Sequence, residues 1–100
     1  MSEILSKEAF AENLNTTVRI PFDSARTAEL ELIEVVEGRS RPTQQQFSVF
    51  FRGPLDYLLQ QGTYHMEHDQ LGAMDIFIVP IGREPDGFHY EAVFNYVTQG

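Results

Sequence analysis

The fold is decided by the stretch FHYEAVFNYV, residues 88–97, together with the turn EPDG at residues 84–87 that precedes it. Large apolar side chains alternate there with polar or smaller ones, and a two-residue period places one row of side chains on each face of a β-strand. Pro85 fixes a backbone dihedral angle, Asp86 offers an Asx-type acceptor, and Gly87 tolerates a positive φ. The turn therefore predicts a hairpin, and the segment predicts a small, mainly β domain.

Earlier segments carry similar strand patterns. Apolar residues alternate over 18–22, where Pro21 indicates an edge strand or the end of a strand. In Thr27–Val36 the apolar positions change phase by one residue after Leu32, which predicts a β-bulge of the kind that lets a sheet coil enough to close. Phe47–Arg52 places Phe47, Val49 and Phe51 on one face and Ser48, Phe50 and Arg52 on the other.

Three further segments complete the predicted core. In residues 61–67, Tyr64 and Met66 are expected to point inward. Met74–Ile81 is a nearly continuous apolar run, which predicts a central strand covered on both faces and ended by Pro80 and Gly82. The polar segment 37–46 predicts an exposed loop. About six strands at short spacing favour a small antiparallel barrel or sandwich over residues 16–98.

Residues 6–15 predict the one helix of the domain. Ser6 has the character of an N-cap, and Leu5 and Phe10 have the spacing of a hydrophobic staple. Ten residues are too few for a stable isolated helix in water, so we expect this helix to cover an open end or edge of the β core. The connector containing Leu55–Leu59 fits either a helical turn or an apolar link. A chain of 100 residues is expected to form a single domain, 1–100.

Composition excludes several partners and compartments. The formal net charge is −8 with one lysine and six arginines, which predicts no binding to nucleic acid or to an anionic membrane. The chain has no cysteine, no signal-peptide pattern at its N-terminus, and no apolar run of the length that a membrane helix needs. We therefore expect a cytoplasmic protein.

The polar candidates for a ligand site are few. If their strands pair, His65 and Glu67 can face His89 and Glu91 across a ladder, and Arg52 can clamp a carboxylate or pair with an acid on a neighbouring strand. The sequence HMEHD at residues 65–69 is the densest group of potential metal ligands. On a strand, however, its second histidine points away from the first, so we predict neither a metal nor a cofactor.

Catalysis is not favoured by the same residues. A general acid–base pair drawn from His65, Glu67, Asp69 or His89 needs a concave pocket that shifts pKa values, and no nucleophile elbow or phosphate loop accompanies them.

The aromatic residues indicate an apolar surface outside the core. Phe50 and Phe77 are out of phase with their apolar neighbours, so they need a cover from the helix, from the 55–59 connector, or from another chain.

Four quoted segments carry a resemblance to a family. These are FSVFFRGP at 47–54, QGTYHMEH at 61–68, DIFIVPIG at 75–82 and YEAVFN at 90–95. The chain resembles, over about residues 15–97, a family of small uncharacterised bacterial domains with the skeleton FRGP…QGTY…FxVPxG…YEAVFN. The resemblance implies a stand-alone bacterial domain and brings no site residues with it.

Two functions follow as expectations. The first is a non-catalytic binding or assembly module, a bacterial accessory protein that binds a protein partner or a second copy through an edge strand or an aromatic surface. The second is a small-ligand-binding barrel or small enzyme with a polar site at the barrel mouth, formed by Arg52, His65, Glu67, His89 and Glu91. A flat apolar patch favours the first function, and convergence of these residues in a concavity favours the second.

Overall fold

One short helix and six antiparallel strands form the fold in a computed structural model, which describes residues 6–38 and 44–97 and their side chains up to residue 95. The elements are α1 Lys7–Ala11, β1 Thr17–Pro21, β2 Thr27–Glu37, β3 Gln44–Gly53, β4 Gly62–His68, β5 Gly72–Glu84 and β6 Gly87–Val97. The strands are neighbours in the order β1-β2-β3-β6-β5-β4, and β4 closes the ring against β1. The predicted mainly β fold with an N-terminal helix is confirmed, and the ring makes it a barrel.

Strand β6 follows the alternation that the sequence predicts. Tyr90 and Ala92 are buried in the barrel, whereas His89 and Glu91 lie on its outer surface. Glu84 pairs with Gly87, so the hairpin between β5 and β6 has the two-residue loop Pro85-Asp86. The strand and its turn are confirmed.

The predicted bulge in β2 is also present. Leu32 pairs with Phe51 of β3 and Glu34 pairs with Phe50, so Ile33 is the extra residue. The bulge lets Leu32 and then Val35 reach the core while Glu34 remains outside. A regular strand cannot do this, because its side chains alternate strictly.

The expectation for Met74–Ile81 is wrong in two respects. Asp75 and Phe77 are exposed, so β5 is covered on its inner face only. Within residues 6–38 and 44–97, no helix packs outside the strand, as it would in a sheet buried on both faces. Pro80 and Gly82 do not end the strand either. The register with β6 shifts between them, and such a bulge accommodates proline inside a sheet.

The predicted loop 37–46 is shorter in the structure. Strand β2 continues to Glu37 and β3 begins at Gln44, because residues 44–46 extend the ladder with the end of β6. Residues 39–43, which include the two arginines of this segment, lie outside the described residues.

Helix α1 is also shorter than the predicted 6–15. The Ser6 hydroxyl accepts a hydrogen bond from the Ala9 N–H at 3.1 Å, which confirms the N-cap. The Asn13 side chain donates to the Ala9 carbonyl at 2.8 Å, and side chains of this kind compete with the helical ladder. Asn15 adopts φ 68° and donates its N–H to the Leu32 carbonyl at 2.7 Å, which directs the chain into β1. The staple residue Leu5 lies outside the described residues.

Each end of the barrel is filled by a segment outside the sheet. At one end Phe10 of α1 is fully buried, with its ring centroid 5.2 Å from that of Phe94 and 6.1 Å from that of Phe47. The helix therefore covers an open end of the core, as predicted. At the other end the connector between β3 and β4 contributes Leu59 to the core and forms an apolar link rather than a helical turn.

Candidate functional site

Arg52 lies at the centre of an ion-pair network on the outer surface of the barrel. It points outward from β3, opposite Glu31 of β2 and His89 of β6. Its guanidinium donates to a Glu31 carboxylate oxygen and, at 2.8 Å, to Oδ2 of Asp86 in the β5–β6 turn. Nε2 of His89 lies 3.1 Å from Oδ1 of the same aspartate. The predicted pairing of Arg52 with an acid on a neighbouring strand is confirmed.

The charged groups of this network are paired with one another. The hydrogen bonds that Arg52 donates to Asp86 and Glu31 raise the pKa of Arg52, and the bonds that Asp86 accepts from Arg52 and His89 lower the pKa of the Asp86 carboxyl. The network borders a recess of about 220 Å³ that Glu29 also lines. Because two carboxylates already occupy the guanidinium, the recess does not suit a carboxylate ligand.

His65 forms a second, separate polar cluster. Its Nδ1 lies 3.1 Å from Oδ1 of Asp75 on β5, and its Nε2 lies 3.5 Å from Oε2 of Glu67. The hydrogen bond with Asp75 is the main cause that raises the pKa of His65. The two carboxylates bind opposite nitrogens of an exposed ring, an arrangement typical of surface polar pairs.

The five predicted site residues do not converge. Strand β5 lies between β4 and β6, so His65 and Glu67 cannot face His89 and Glu91 across one ladder. The structure brings Arg52 together with His89, and His65 together with Glu67, on different parts of the outer surface. In residues 6–38 and 44–97, no three histidine, aspartate or glutamate side chains are arranged to share a metal ion.

Glu91 lies in a different environment, on an apolar part of the barrel wall. It stands on the outer side of β6 in the same row as Phe50 of β3 and Val79 of β5. The adjacent row pairs Val36 of β2 with Ser48, and Ser48 with Val93. We call this surface the outer apolar face, and it comprises Val36, Phe50, Phe77, Val79 and Val93.

The outer apolar face is solvent-exposed over several strands. The exposed fractions are 49% for Phe77, 56% for Val93 and 43% for Val36. The sequence required a cover for Phe50 and Phe77, yet α1 and the 55–59 connector both contribute their buried side chains to the ends of the barrel. The described part of the chain therefore leaves this face open.

A cleft lies at the end of the barrel opposite α1. The β1–β2 turn contributes Phe22 and Arg26, and the connector contributes Tyr57 and Leu58, to a concavity of about 580 Å³. The Arg26 side chain is largely exposed, and its Nε lies 3.8 Å from Asp23, whose carboxylate already accepts the N–H groups of residues 25 and 26. None of the predicted site residues lines this cleft.

His68 is a buried residue whose contacts the sequence did not reveal. Its Nδ1 accepts the N–H groups of Gln70 at 2.9 Å and Leu71 at 3.0 Å, so the ring proton resides on Nε2. Burial lowers the pKa of His68, Asp69 opposes this shift, and Arg19 adds to it. The alternation in β4 correctly predicts that His68 points away from His65. The amides of Gln70 and Leu71, however, belong to a turn whose geometry the residue types do not specify.

Glu31 and Asp86, which bind Arg52, were not among the predicted site residues. Asp86 was assigned only to the turn, although a two-residue hairpin loop holds its side chain beside the neighbouring strand. The position of Glu31 opposite Arg52 depends on the register between β2 and β3, and the bulge in β2 sets that register.

Comparisons with known proteins give a family and no relative of known activity. Among the described residues, no helix has the length and apolar character needed to cross a membrane. No curated protein and no solved structure gives a significant match to the chain. The family model described as "Domain of unknown function (DUF6916)" matches residues 5–94. The chain therefore belongs to the DUF6916 family of domains of unknown function.

Proposed function

We propose that this chain is a non-catalytic protein-binding module that uses its outer apolar face. The observation that carries the proposal is the exposure of Phe77, Val93 and Val36 on β5, β6 and β2, which together with β3 are consecutive in the sheet. Exposed apolar patches of this kind mark interaction sites, and the convex outer wall of a barrel fits another protein better than a small molecule.

The remaining features support a face rather than a strand edge. Each strand in the described residues has a neighbour on both sides, with a single residue pair, Arg19 and Glu67, joining β1 to β4. Free backbone groups for strand addition therefore remain only along this β1–β4 seam, and the other strands are paired on both sides. In this proposal the chain is a cytoplasmic accessory protein of a larger bacterial assembly, as the resemblance and the composition suggested.

Site-specific photo-crosslinking tests the proposal. A photoreactive residue at position 77 or 93 is expected to capture one defined protein in cells of the source organism. The same residue at Thr17, exposed on β1 across the ring, should not capture that protein. The captured protein is then purified, and its binding should be lost with Val93→Asp and kept with Thr17→Asp. Binding that is unaffected by Val93→Asp refutes the proposal.

The cleft opposite α1 favours a second candidate function, the binding of a small ligand at the barrel mouth. Its volume of about 580 Å³ lies in the range of ligand pockets, and its apolar lining with Arg26 at the rim suits an apolar molecule with a carboxylate. Decanoate is a simple probe for calorimetry. Uptake that Leu58→Asp abolishes and Phe77→Asp leaves unchanged supports this function, and no uptake by the unmodified chain refutes it for this ligand class.

A further inference from the structure

Phe50 lies between two carboxylates on the outer apolar face. In one row of the sheet, Glu34 of β2 is opposite Phe50, and Phe50 is opposite Glu91 of β6. Side chains that are directly opposite in neighbouring strands have Cβ atoms about 5 Å apart. Glu34 is exposed and Glu91 is half-buried, and neither takes part in an ion pair within residues 6–38 and 44–97.

This arrangement is unfavourable for a second copy of the chain. A symmetric dimer through the face would bring both carboxylates of each copy into one interface, between chains that each carry a net charge of −8. Juxtaposed like charges oppose association, and their effect grows as the surrounding apolar residues exclude water. The apolar side chains favour an interface, but the charges select a partner of the opposite sign.

An arginine side chain matches the row Glu34, Phe50, Glu91. The planar guanidinium stacks on an aromatic ring and donates to carboxylates on both sides, whereas an ammonium is a more strongly hydrated point charge. Arginine is also enriched in protein interfaces, where it lies beside apolar residues.

We propose that the partner of the outer apolar face is a different protein whose surface places an arginine over Phe50, between Glu34 and Glu91. Apolar side chains of that partner cover Val36, Phe77 and Val93. This inference rests on the proposed function and adds the chemistry of the partner. Because the charged groups lie on an exposed surface, the affinity decreases as the salt concentration rises.

A displayed library of a small helical scaffold with a randomised surface provides a defined probe. Binders are selected on the unmodified chain and counter-selected against Val93→Asp, so that they recognise the face. Their affinities are then measured for the double variant Glu34→Gln/Glu91→Gln. A matched control, Glu12→Gln/Glu29→Gln, removes two exposed carboxylates outside the face.

The expected result is a set of arginine-rich binders whose affinity decreases about tenfold in Glu34→Gln/Glu91→Gln and not in the control. Face-dependent binders whose affinity is unchanged in that variant overturn the inference and leave the proposed function intact. Failure to obtain any binder that depends on Val93 counts against the proposed function itself. Sedimentation of the unmodified chain should show a monomer, and a dimer that Val93→Asp dissociates also overturns the inference.

Discussion

Nε2 of His68 lies 2.7 Å from the hydroxyl oxygen of Thr16, and this contact joins the end of β4 to the segment between α1 and β1. The hydroxyl in turn donates to the Asn13 carbonyl. Since Nδ1 of His68 accepts two backbone N–H groups, the imidazole must be neutral to make all of these bonds. The buried histidine therefore links the helix end of the barrel to the sheet only while its imidazole is neutral.

The free energy of unfolding should decrease as the pH falls below about 6.5, the pKa of histidine in an unfolded chain. The folded-state pKa of His68 is lowered, so below this pH the unfolded state binds more protons than the folded state. The His68 contribution is complete at pH 8 and is lost as the pH falls towards its folded pKa, with a limiting slope of about 1.4 kcal/mol per pH unit. Urea denaturation between pH 5 and 8 measures it.

Two variants separate the contribution of His68 from the opposite contribution of His65. His68→Gln should be less stable at pH 8 and should lose the His68 part of the slope. His65 has a raised pKa because of Asp75, so its stabilisation is present at low pH and is lost as the pH rises through the folded pKa. His65→Gln should therefore make the chain more sensitive to acid. An unchanged slope in His68→Gln would show that other groups cause the pH dependence.

Tyr90→Phe should destabilise the barrel by about 1–3 kcal/mol, because it leaves a buried N–H without an acceptor. The Tyr90 hydroxyl accepts the hydrogen bond of the Leu59 N–H at 3.0 Å, inside the end of the barrel that the connector closes. Urea denaturation measures the loss, and hydrogen exchange at the Leu59 amide should accelerate. Tyr64→Phe is the control, since its hydroxyl donates to the Gln60 carbonyl at the surface. Equal losses in the two variants would contradict the structural role of Tyr90.

Arg52→Met should raise the pKa of Asp86 towards its ordinary value. The hydrogen bond from Arg52 is the largest cause of the lowered pKa, and the bond from His89 is smaller. A carboxyl group with a lowered folded pKa stabilises the fold above its unfolded pKa, and this stabilisation is lost as the pH falls through the folded value. Carbon NMR titration of the Asp86 carboxyl is the measurement. His89→Gln should give a smaller increase, and a larger increase in His89→Gln than in Arg52→Met would reverse the assignment.

The sequence predicted the strands whose two faces differ in polarity. In β6 and β3 the inner and outer rows follow the residue types, and in β2 the phase change after Leu32 located the bulge. Burial on one face imposes this pattern, so the pattern is informative. It failed in β5, where Phe77 is apolar but faces solvent, because residue type alone does not show which side of a strand is covered.

The candidate site was less predictable because it depends on which strands are neighbours. The residues of β4 and β6 have complementary types, but β5 lies between the two strands. Arg52 and Asp86 meet through a hairpin loop, and Glu34 reaches the outer surface through a bulge. A local pattern can locate a turn or a bulge, whereas the order of strands in a closed sheet depends on packing across the whole chain.

Gly87→Ala should destabilise the chain far more than Gly72→Ala, although both glycines have positive φ values, 144° and 80°. A Cβ at residue 87 would lie 2.2 Å from the Gly53 carbonyl oxygen and 3.0 Å from Cγ of Arg52, whereas a Cβ at residue 72 meets no atom within 4 Å beyond its own chain neighbours. We expect a loss of about 1–2 kcal/mol at residue 72 from the backbone conformation alone. At residue 87 the clash with backbone adds to this, for a loss of about 3 kcal/mol or more.

Urea denaturation compares these two variants, and circular dichroism reports whether the Gly87 variant folds at all. The Arg52 side chain provides a further readout, because a displaced Arg52 weakens its bond to Asp86 and raises the pKa of that carboxyl. Equal destabilisation in Gly87→Ala and Gly72→Ala would mean that the positive φ alone requires glycine. In that case the contact between Asp86 and Arg52 would not depend on the close approach of the β5–β6 turn to the end of β3.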